Sequence, residues 1–127
     1  MKKVAILNRT RNTILGDHVS VAETSLRRMI GLLGRERLET GTGLLIVPSQ
    51  AVHTVAMHFA IDVIFLDRDW RVVYLRRAML PFRMTTVHWK ASRVLELPSG
   101  VIGETSTAVG DQLEIRELSA LSTPTTA

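Results

Sequence analysis

The stretch that decides the fold is His-Thr-Val-Ala-Met-His-Phe-Ala-Ile-Asp-Val-Ile-Phe-Leu-Asp, residues 53–67. Its second half, from Ile61 to Leu66, is an apolar run of the length and composition that predicts a buried strand. The run holds one carboxylate, Asp62, and an ionised group among such neighbours is costly unless other groups pair with it. The stretch therefore predicts either a structural hub or the rim of a functional site, and both interpretations stay open here.

Short strand-like runs of the same kind dominate the rest of the chain. Turn-forming residues separate them, including Gly16-Asp17, which predicts a turn between two short runs. Besides Ile61 to Leu66, we expect strands at Lys3 to Leu7, Thr13 to Leu15, Val19 to Val21, Leu44 to Val47, Val72 to Leu75, Arg93 to Leu97 and Gln112 to Leu118.

The connection Asp67-Arg68-Asp69-Trp70 is short enough to make the strands on either side of it antiparallel neighbours. We therefore expect a tight hairpin turn at this point. We also expect its fourth residue, Trp70, to lean its indole ring onto a neighbouring strand.

One segment changes from a strand-like to a helical period. Leu26, Met29, Ile30 and Leu33 fall at helical spacing and predict a helix near Ser25 to Leu33. Many strands with one or two short helices predict a mostly β fold, a compact β-sandwich or barrel over residues 1–118. Residues 119–127 are small and polar and are expected to form a disordered tail.

Composition excludes several classes of site. The chain has 127 residues, which suits one domain, and it has no cysteine, so disulfides, zinc–thiolate sites and cysteine nucleophiles are excluded. No apolar run has the length of a membrane span, and the run from Val4 to Leu7 is too short for the apolar core of a signal peptide. We therefore expect a soluble, cytoplasmic protein.

The net charge of +4 is concentrated in the middle of the chain. Seven basic residues and a single acid, Asp69, lie between Arg68 and Arg93. Such a patch suits RNA, an acidic partner or a membrane surface, and it also suits an ordinary solvated face. No aromatic–glycine signature of a nucleic-acid module accompanies the patch, so nucleic acid is not the expected partner.

Several short motifs in a fixed order resemble the DUF192 family of uncharacterised proteins. The resemblance covers about residues 19–117 and rests on Gly31-Leu32-Leu33, His53-Thr54, Met57, Ile61-Asp62, Phe65-Leu66-Asp67, Pro81, Leu95-Glu96-Leu97-Pro98-Ser99-Gly100 and Gly110-Asp111. It implies a small β-sandwich-like domain with jelly-roll character, and it implies no established activity, cofactor or substrate. The chain departs from the family in two respects. Trp70 stands where many members have glycine, and we expect no leader of the kind that many exported members have.

The candidate ligand-binding residues are His53, Asp62 and Glu96. Asp62 suits a general base or metal ligand, and it equally suits a structural carboxylate that accepts backbone N–H groups of residues 53–59 or pairs with an arginine. Glu96 suits a second site carboxylate or a solvated strand face. His53 and Met57 have spacing that a copper site would accept, but a methionine there is more often packing, and we expect neither a metal nor a cofactor.

The sequence lacks a Gly-x-Ser-x-Gly elbow, a phosphate-binding glycine loop and a His-Glu-x-x-His motif. Two functional hypotheses remain. The preferred hypothesis is a non-catalytic module that binds a small ligand or a protein around His53, Asp62 and Glu96. The alternative is a hydrolase or metal-assisted enzyme that uses the same three residues.

Overall fold

The computed structural model of the protein describes residues 2–23, 38–51, 59–81 and 83–118. The predicted helix near Ser25 to Leu33, the candidate residue His53 and the predicted tail at 119–127 lie outside these ranges. The described residues form one short helix, α1 (Val101–Glu104), and seven strands: β1 (Lys3–Asn8), β2 (Thr13–Ala22), β3 (Thr42–Ile46), β4 (Ile61–Leu66), β5 (Val72–Met79), β6 (Arg93–Pro98) and β7 (Leu113–Glu117).

All seven strands belong to one sheet, in the order β5-β4-β6-β3-β2-β1-β7. Neighbouring strands are antiparallel except β2 and β3, which are parallel. The prediction of a mostly β fold is therefore confirmed. The sandwich arrangement is not confirmed, because the described strands share a single sheet. No helix within the described ranges is long and apolar enough to cross a membrane.

The sheet curls until its two edge strands approach each other. An isolated bridge joins Arg71, just before β5, to Gln112, just before β7. On either side of it, the Val72 N–H donates to the Asp111 carbonyl at 2.9 Å and the Leu113 N–H donates to the Trp70 carbonyl at 2.9 Å. Because opposite edges are joined at one point, the sheet forms a half-barrel that encloses one of its faces.

Both faces of the half-barrel are apolar, and each has its own core. The inner face has buried residues from every strand and from α1, including Val4, Val19, Leu45, Ile64, Val72, Leu95, Leu97, Ile102 and Leu113. The core of the outer face has buried residues from β2 to β6, including Ala22, Leu44, Ile46, Ile61, Val63, Phe65, Met79 and Val94. Because successive residues of a strand point to opposite faces and both faces are covered here, every residue of β4 is buried.

The predicted turn at Gly16-Asp17 is wrong, because β2 runs without a break from Thr13 to Ala22. The ladder with β1 has two register shifts here, one on each side of the pair between Ile6 and Gly16. Glycine inside a strand is typical of a bulge, where an extra residue bends the strand. The turn-like pair therefore marks a bend in a long strand.

The predicted hairpin turn between β4 and β5 is confirmed. The Asp67 carboxylate accepts the N–H groups of Asp69 and Arg71, both at 2.9 Å, and the Trp70 N–H donates to the Asp67 carbonyl. Trp70 has a φ of 66°, in the left-handed region that favours glycine. Its indole packs against the inner core, and the Arg93 guanidinium lies 4.2 Å from the ring centroid. This contact with β6 confirms the expected position of the indole.

Comparing Trp70→Gly with Trp70→Ala separates backbone strain from packing. Both variants lose the indole contacts, but only glycine accepts the left-handed backbone without a steric penalty of about 1–2 kcal/mol. We expect the glycine variant to have the higher free energy of unfolding in urea by about that amount. Equal stability of the two variants would show that the turn is unstrained. A loss of about 3–5 kcal/mol in Trp70→Gly would instead mark the indole as a full core residue.

Candidate functional site

Asp62 lies on the inner face of β4, opposite a bulge in β5. Ile61 pairs with Met79 and Val63 pairs with Arg76, so two residues of β5 face Asp62 alone. The Asp62 Oδ1 atom accepts the N–H of Ala78 at 2.8 Å. The carboxylate thus occupies the position of the missing backbone acceptor in the ladder.

The second oxygen of Asp62 holds the connection between β6 and α1. Its Oδ2 accepts the N–H of Gly100 at 3.1 Å and the N–H of Ile102 at 2.8 Å. Ile102 is fully buried in the inner core, so the bond positions the apolar side chain of Ile102 as well as the first turn of α1. Backbone N–H groups satisfy Asp62 as expected, and the donors among the described residues belong to β5 and to the start of α1.

Glu96 lies on the outer face of β6, between Leu44 of β3 and Val63 of β4. The expectation of a solvated strand face is wrong, because only 5% of the residue is exposed. Burial raises the pKa of Glu96 to about 8 from its ordinary 4.5. Burial thus favours the neutral, protonated form of this carboxyl group at neutral pH.

The structure does not bring the two candidate carboxyl groups together. Asp62 is paired with Leu97, an inner-face residue, whereas Glu96 is paired with Val63, an outer-face residue. Directly paired residues share a face, so Asp62 and Glu96 project from opposite sides of the sheet. Within the described ranges no three His, Asp or Glu side chains are grouped as a metal site would require.

A concave feature lies at one end of the half-barrel, where β2 and β3 end and where β1 and β6 begin. It is a cleft of about 240 Å³ that opens from the inner core and is lined by Lys2, Val4, Val21, Glu23, Leu45, Val47, Trp70, Arg93, Ile115 and Glu117. Sequence reasoning missed this cleft, because its walls come from segments far apart in the chain. Only the basic stretch and Trp70 gave a local signal.

Charged groups at the rim of the cleft are unevenly compensated. The Lys2 ammonium donates to Glu117 at 2.9 Å, and this bond raises the pKa of Lys2. Arg93 is half-buried over Trp70 and donates to the Asp67 carbonyl at 3.0 Å and to the Ser92 hydroxyl at 3.2 Å. It forms no ion pair with any carboxylate of the described chain segments. Among the described residues, Arg93 is therefore a rim cation without an ion-pair partner, although the carboxylates of Glu23 and Glu117 also line the cleft.

Replacing Asp62 tests its role as an anchor. We expect Asp62→Ala to lower the free energy of unfolding by about 2–4 kcal/mol, because it leaves the buried N–H of Ile102 and the partly buried N–H groups of Ala78 and Gly100 without this acceptor. Asp62→Asn should cost less, since one amide oxygen can still accept hydrogen bonds while its NH₂ group cannot. Urea unfolding measures both changes, with the exposed Asp69→Ala as the matched control. An unchanged midpoint for Asp62→Ala would contradict a structural role.

Burial of Glu96 predicts a pH dependence of stability. The unfolded chain releases this proton near pH 4.5, whereas the folded chain keeps it until about pH 8. The stabilisation is therefore complete below about pH 4.5, and it is lost as pH rises through the folded pKa. The slope is at most about 1.4 kcal/mol per pH unit. Glu96→Gln should remove this pH-dependent part of the free energy of unfolding, and the variant should be more stable than the wild-type protein at pH 9. Urea melts near pH 4.5 and at pH 9 measure the difference. An equal pH slope in Glu96→Gln would contradict the prediction, and Glu104→Gln, at an exposed carboxyl group, is the control.

Comparisons with known proteins agree with the fold. A UPF0127 protein from Thermococcus sibiricus is 31% identical over 130 residues, which cover 96% of this chain and 83% of that protein. A crystal structure of a protein of unknown function from Novosphingobium aromaticivorans superposes with a TM-score of 0.75 at 21% identity, over 88% of this chain and 83% of that one. A structure from Sinorhizobium meliloti, named as a candidate transcription regulator, has a TM-score of 0.73 at 19% identity, over 90% and 92% of the two chains.

At these identities the two crystal structures bear on the fold alone. The family evidence is stronger, because the profile of DUF192, described as an uncharacterised ACR, matches residues 6–115. The match includes β4, β6 and the Gly110-Asp111 pair on which the resemblance in the sequence rests. The chain belongs to the DUF192 family.

Proposed function

We propose that the protein is a non-catalytic module that binds a small ligand in the cleft at the open end of the half-barrel. The observation that carries the proposal is the half-buried Arg93 guanidinium, which lies against the Trp70 ring at the rim of an apolar cleft. Small-molecule sites combine apolar walls with a few polar groups that fix the orientation of the ligand. The cleft has both components.

The charges at the rim favour a ligand with an apolar body and a carboxylate. Lys2 is paired with Glu117, so its charge is largely compensated. Arg93 keeps part of its guanidinium for a ligand, and a planar guanidinium binds a carboxylate more strongly than it binds a neutral oxygen. The apolar floor formed by Val21, Leu45 and Ile115 suits a short aliphatic or aromatic body.

Binding has more support than catalysis. Three backbone N–H groups donate to the two oxygens of Asp62, which supports a structural role for this carboxylate. Glu96 lies on the other face of the sheet, so a hydrolase or metal-assisted enzyme that uses His53, Asp62 and Glu96 together has no support from the positions of the two carboxyl groups. In this proposal Asp62 is a structural residue, and Glu96, which is buried on the other face of the sheet, does not line the cleft.

Octanoate and octanol serve as matched probes of the cleft. We expect saturable octanoate binding by isothermal titration calorimetry, and weaker binding of octanol, which has the same chain but no charge. Arg93→Gln should reduce octanoate affinity by roughly tenfold, as expected for loss of one charge-assisted contact, and should leave octanol affinity unchanged.

Arg68→Gln is the control, because Arg68 is an exposed cation of the same hairpin turn and does not line the cleft. It should bind both probes like the wild-type protein. Absence of octanoate binding, or equal octanoate affinity in Arg93→Gln and the wild-type protein, would contradict the proposal. Perturbation of Trp70 fluorescence by octanoate should accompany binding, since the ring lines the cleft.

A further inference from the structure

The connection from β5 to β6, residues 80–90, carries most of the large apolar side chains that the described parts of the chain expose. The other two such side chains, Ile14 and Val109, lie in β2 and near the start of β7. Trp89 is 83% exposed and Met84 is 71% exposed. The exposed apolar residues of this connection are Leu80, Met84, Val87 and Trp89.

This connection is anchored to the body of the protein at both ends. Met79 and Ala91 are buried in the outer core. Between them, the His88 ring stacks on Tyr74 with ring centroids 4.1 Å apart, and the His88 N–H donates to the Gln50 carbonyl at 2.8 Å. Trp89 follows directly and projects into solvent. The exposed Trp89 side chain therefore lies on a segment that is fixed to the sheet through His88.

The charge of the surrounding residues has one sign. No Asp or Glu occurs between Trp70 and Leu95. Within residues 76–90 the charged side chains are all basic: Arg76, Arg77, Arg83 and Lys90. Arg77 and Lys90 are exposed on the two sides of the connection. Exposed apolar residues thus lie beside cations with no neighbouring anion in the sequence.

We propose that the exposed apolar side chains of Leu80, Met84, Val87 and Trp89 dock onto the surface of an anionic lipid bilayer. Trp89 and Met84 enter the boundary between headgroups and acyl chains, and Arg77 and Lys90 contact the anionic headgroups. Tryptophan favours this boundary because its ring is amphipathic, and basic residues near it gain from the negative surface potential. The docking is independent of ligand binding in the cleft, which lies among other residues.

A bilayer fits these side chains better than a nucleic acid does. Both partners attract cations, and a base can stack on Trp89. A nucleic acid offers no hydrocarbon to Leu80, Met84 and Val87, whereas the acyl boundary of a membrane does. The aliphatic side chains therefore decide between the two partners.

Co-sedimentation with vesicles tests the proposal on the full chain. We expect binding to vesicles of phosphatidylcholine with phosphatidylglycerol and little binding to phosphatidylcholine alone. Binding should weaken between about 0.1 and about 1 M NaCl, over which the Debye length falls from about 10 to about 3 Å. A blue shift of tryptophan emission should accompany binding and should be absent in Trp89→Phe, which keeps an aromatic ring but removes the reporter.

Matched variants separate this surface from general hydrophobicity and charge. The double change Met84→Ser and Trp89→Ser should lower the partition coefficient by roughly tenfold or more. The double change Ile14→Ser and Val109→Ser removes comparably exposed side chains elsewhere and should leave the coefficient unchanged. Lys90→Glu should weaken binding, whereas Arg68→Glu, at the other end of the β4–β5 hairpin, should have a smaller effect.

Three results would overturn the proposal. The first is no binding of the wild-type protein to anionic vesicles. The second is an equal loss of binding in both serine double variants, which would indicate unspecific adhesion. The third is tight binding of a uridine oligonucleotide that is lost in Trp89→Ser while vesicle binding is kept, which would assign the surface to nucleic acid. Circular dichroism of every variant identifies any that fail to fold, and the remaining charge variants still decide the outcome.

Discussion

The architecture depends on one carboxylate that takes the place of a backbone acceptor. Asp62 accepts N–H groups from Ala78, Gly100 and Ile102, which lie on two different segments. At Ala78 the β5 backbone has a φ of 47°, a strained value for a residue with a side chain, and the carboxylate satisfies the N–H that the bulge removes from the ladder. The same group aligns α1, whose Ile102 closes one end of the inner core. Through these three hydrogen bonds, Asp62 links the bulge in β5 to α1 and to the end of the inner core that Ile102 closes.

The two ends of the half-barrel differ in how their charged and polar groups are paired. At the end held by Asp62 the polar groups are satisfied, and a second cluster there joins Asp111 to Asn8 and Arg11. Burial alone would raise the pKa of Asp111, but the bonds from Arg11 and Asn8 lower it. At the opposite end the inner core opens between Trp70 and Ile115, and Arg93 stays without a carboxylate partner among the described residues.

Local sequence signals predicted the positions of the strands and the hairpin turn better than they predicted which faces of the strands are buried. The apolar run Ile61 to Leu66 coincides with β4, and the positive φ of Trp70 occurs at a position where many family members have glycine. The alternation around Glu96 was misleading, because a period of two predicts one solvated face only when one face of the sheet is open. Here β6 lies between β3 and β4 with cores on both sides, and nothing within β6 itself signals that position. The bend at Gly16 and the cleft likewise depend on partners distant in the chain.

The position of β1 in the sheet has a consequence for synthesis on the ribosome. This strand lies between β2 and β7, so one of its edges can be paired only by residues 113–117. While those residues are still inside the exit tunnel, β1 presents an open edge with Val4 and Ile6 on its inner side. One edge of β1 therefore stays unpaired until residues 113–117 have left the tunnel, and an exposed apolar edge of this kind favours aggregation during that time.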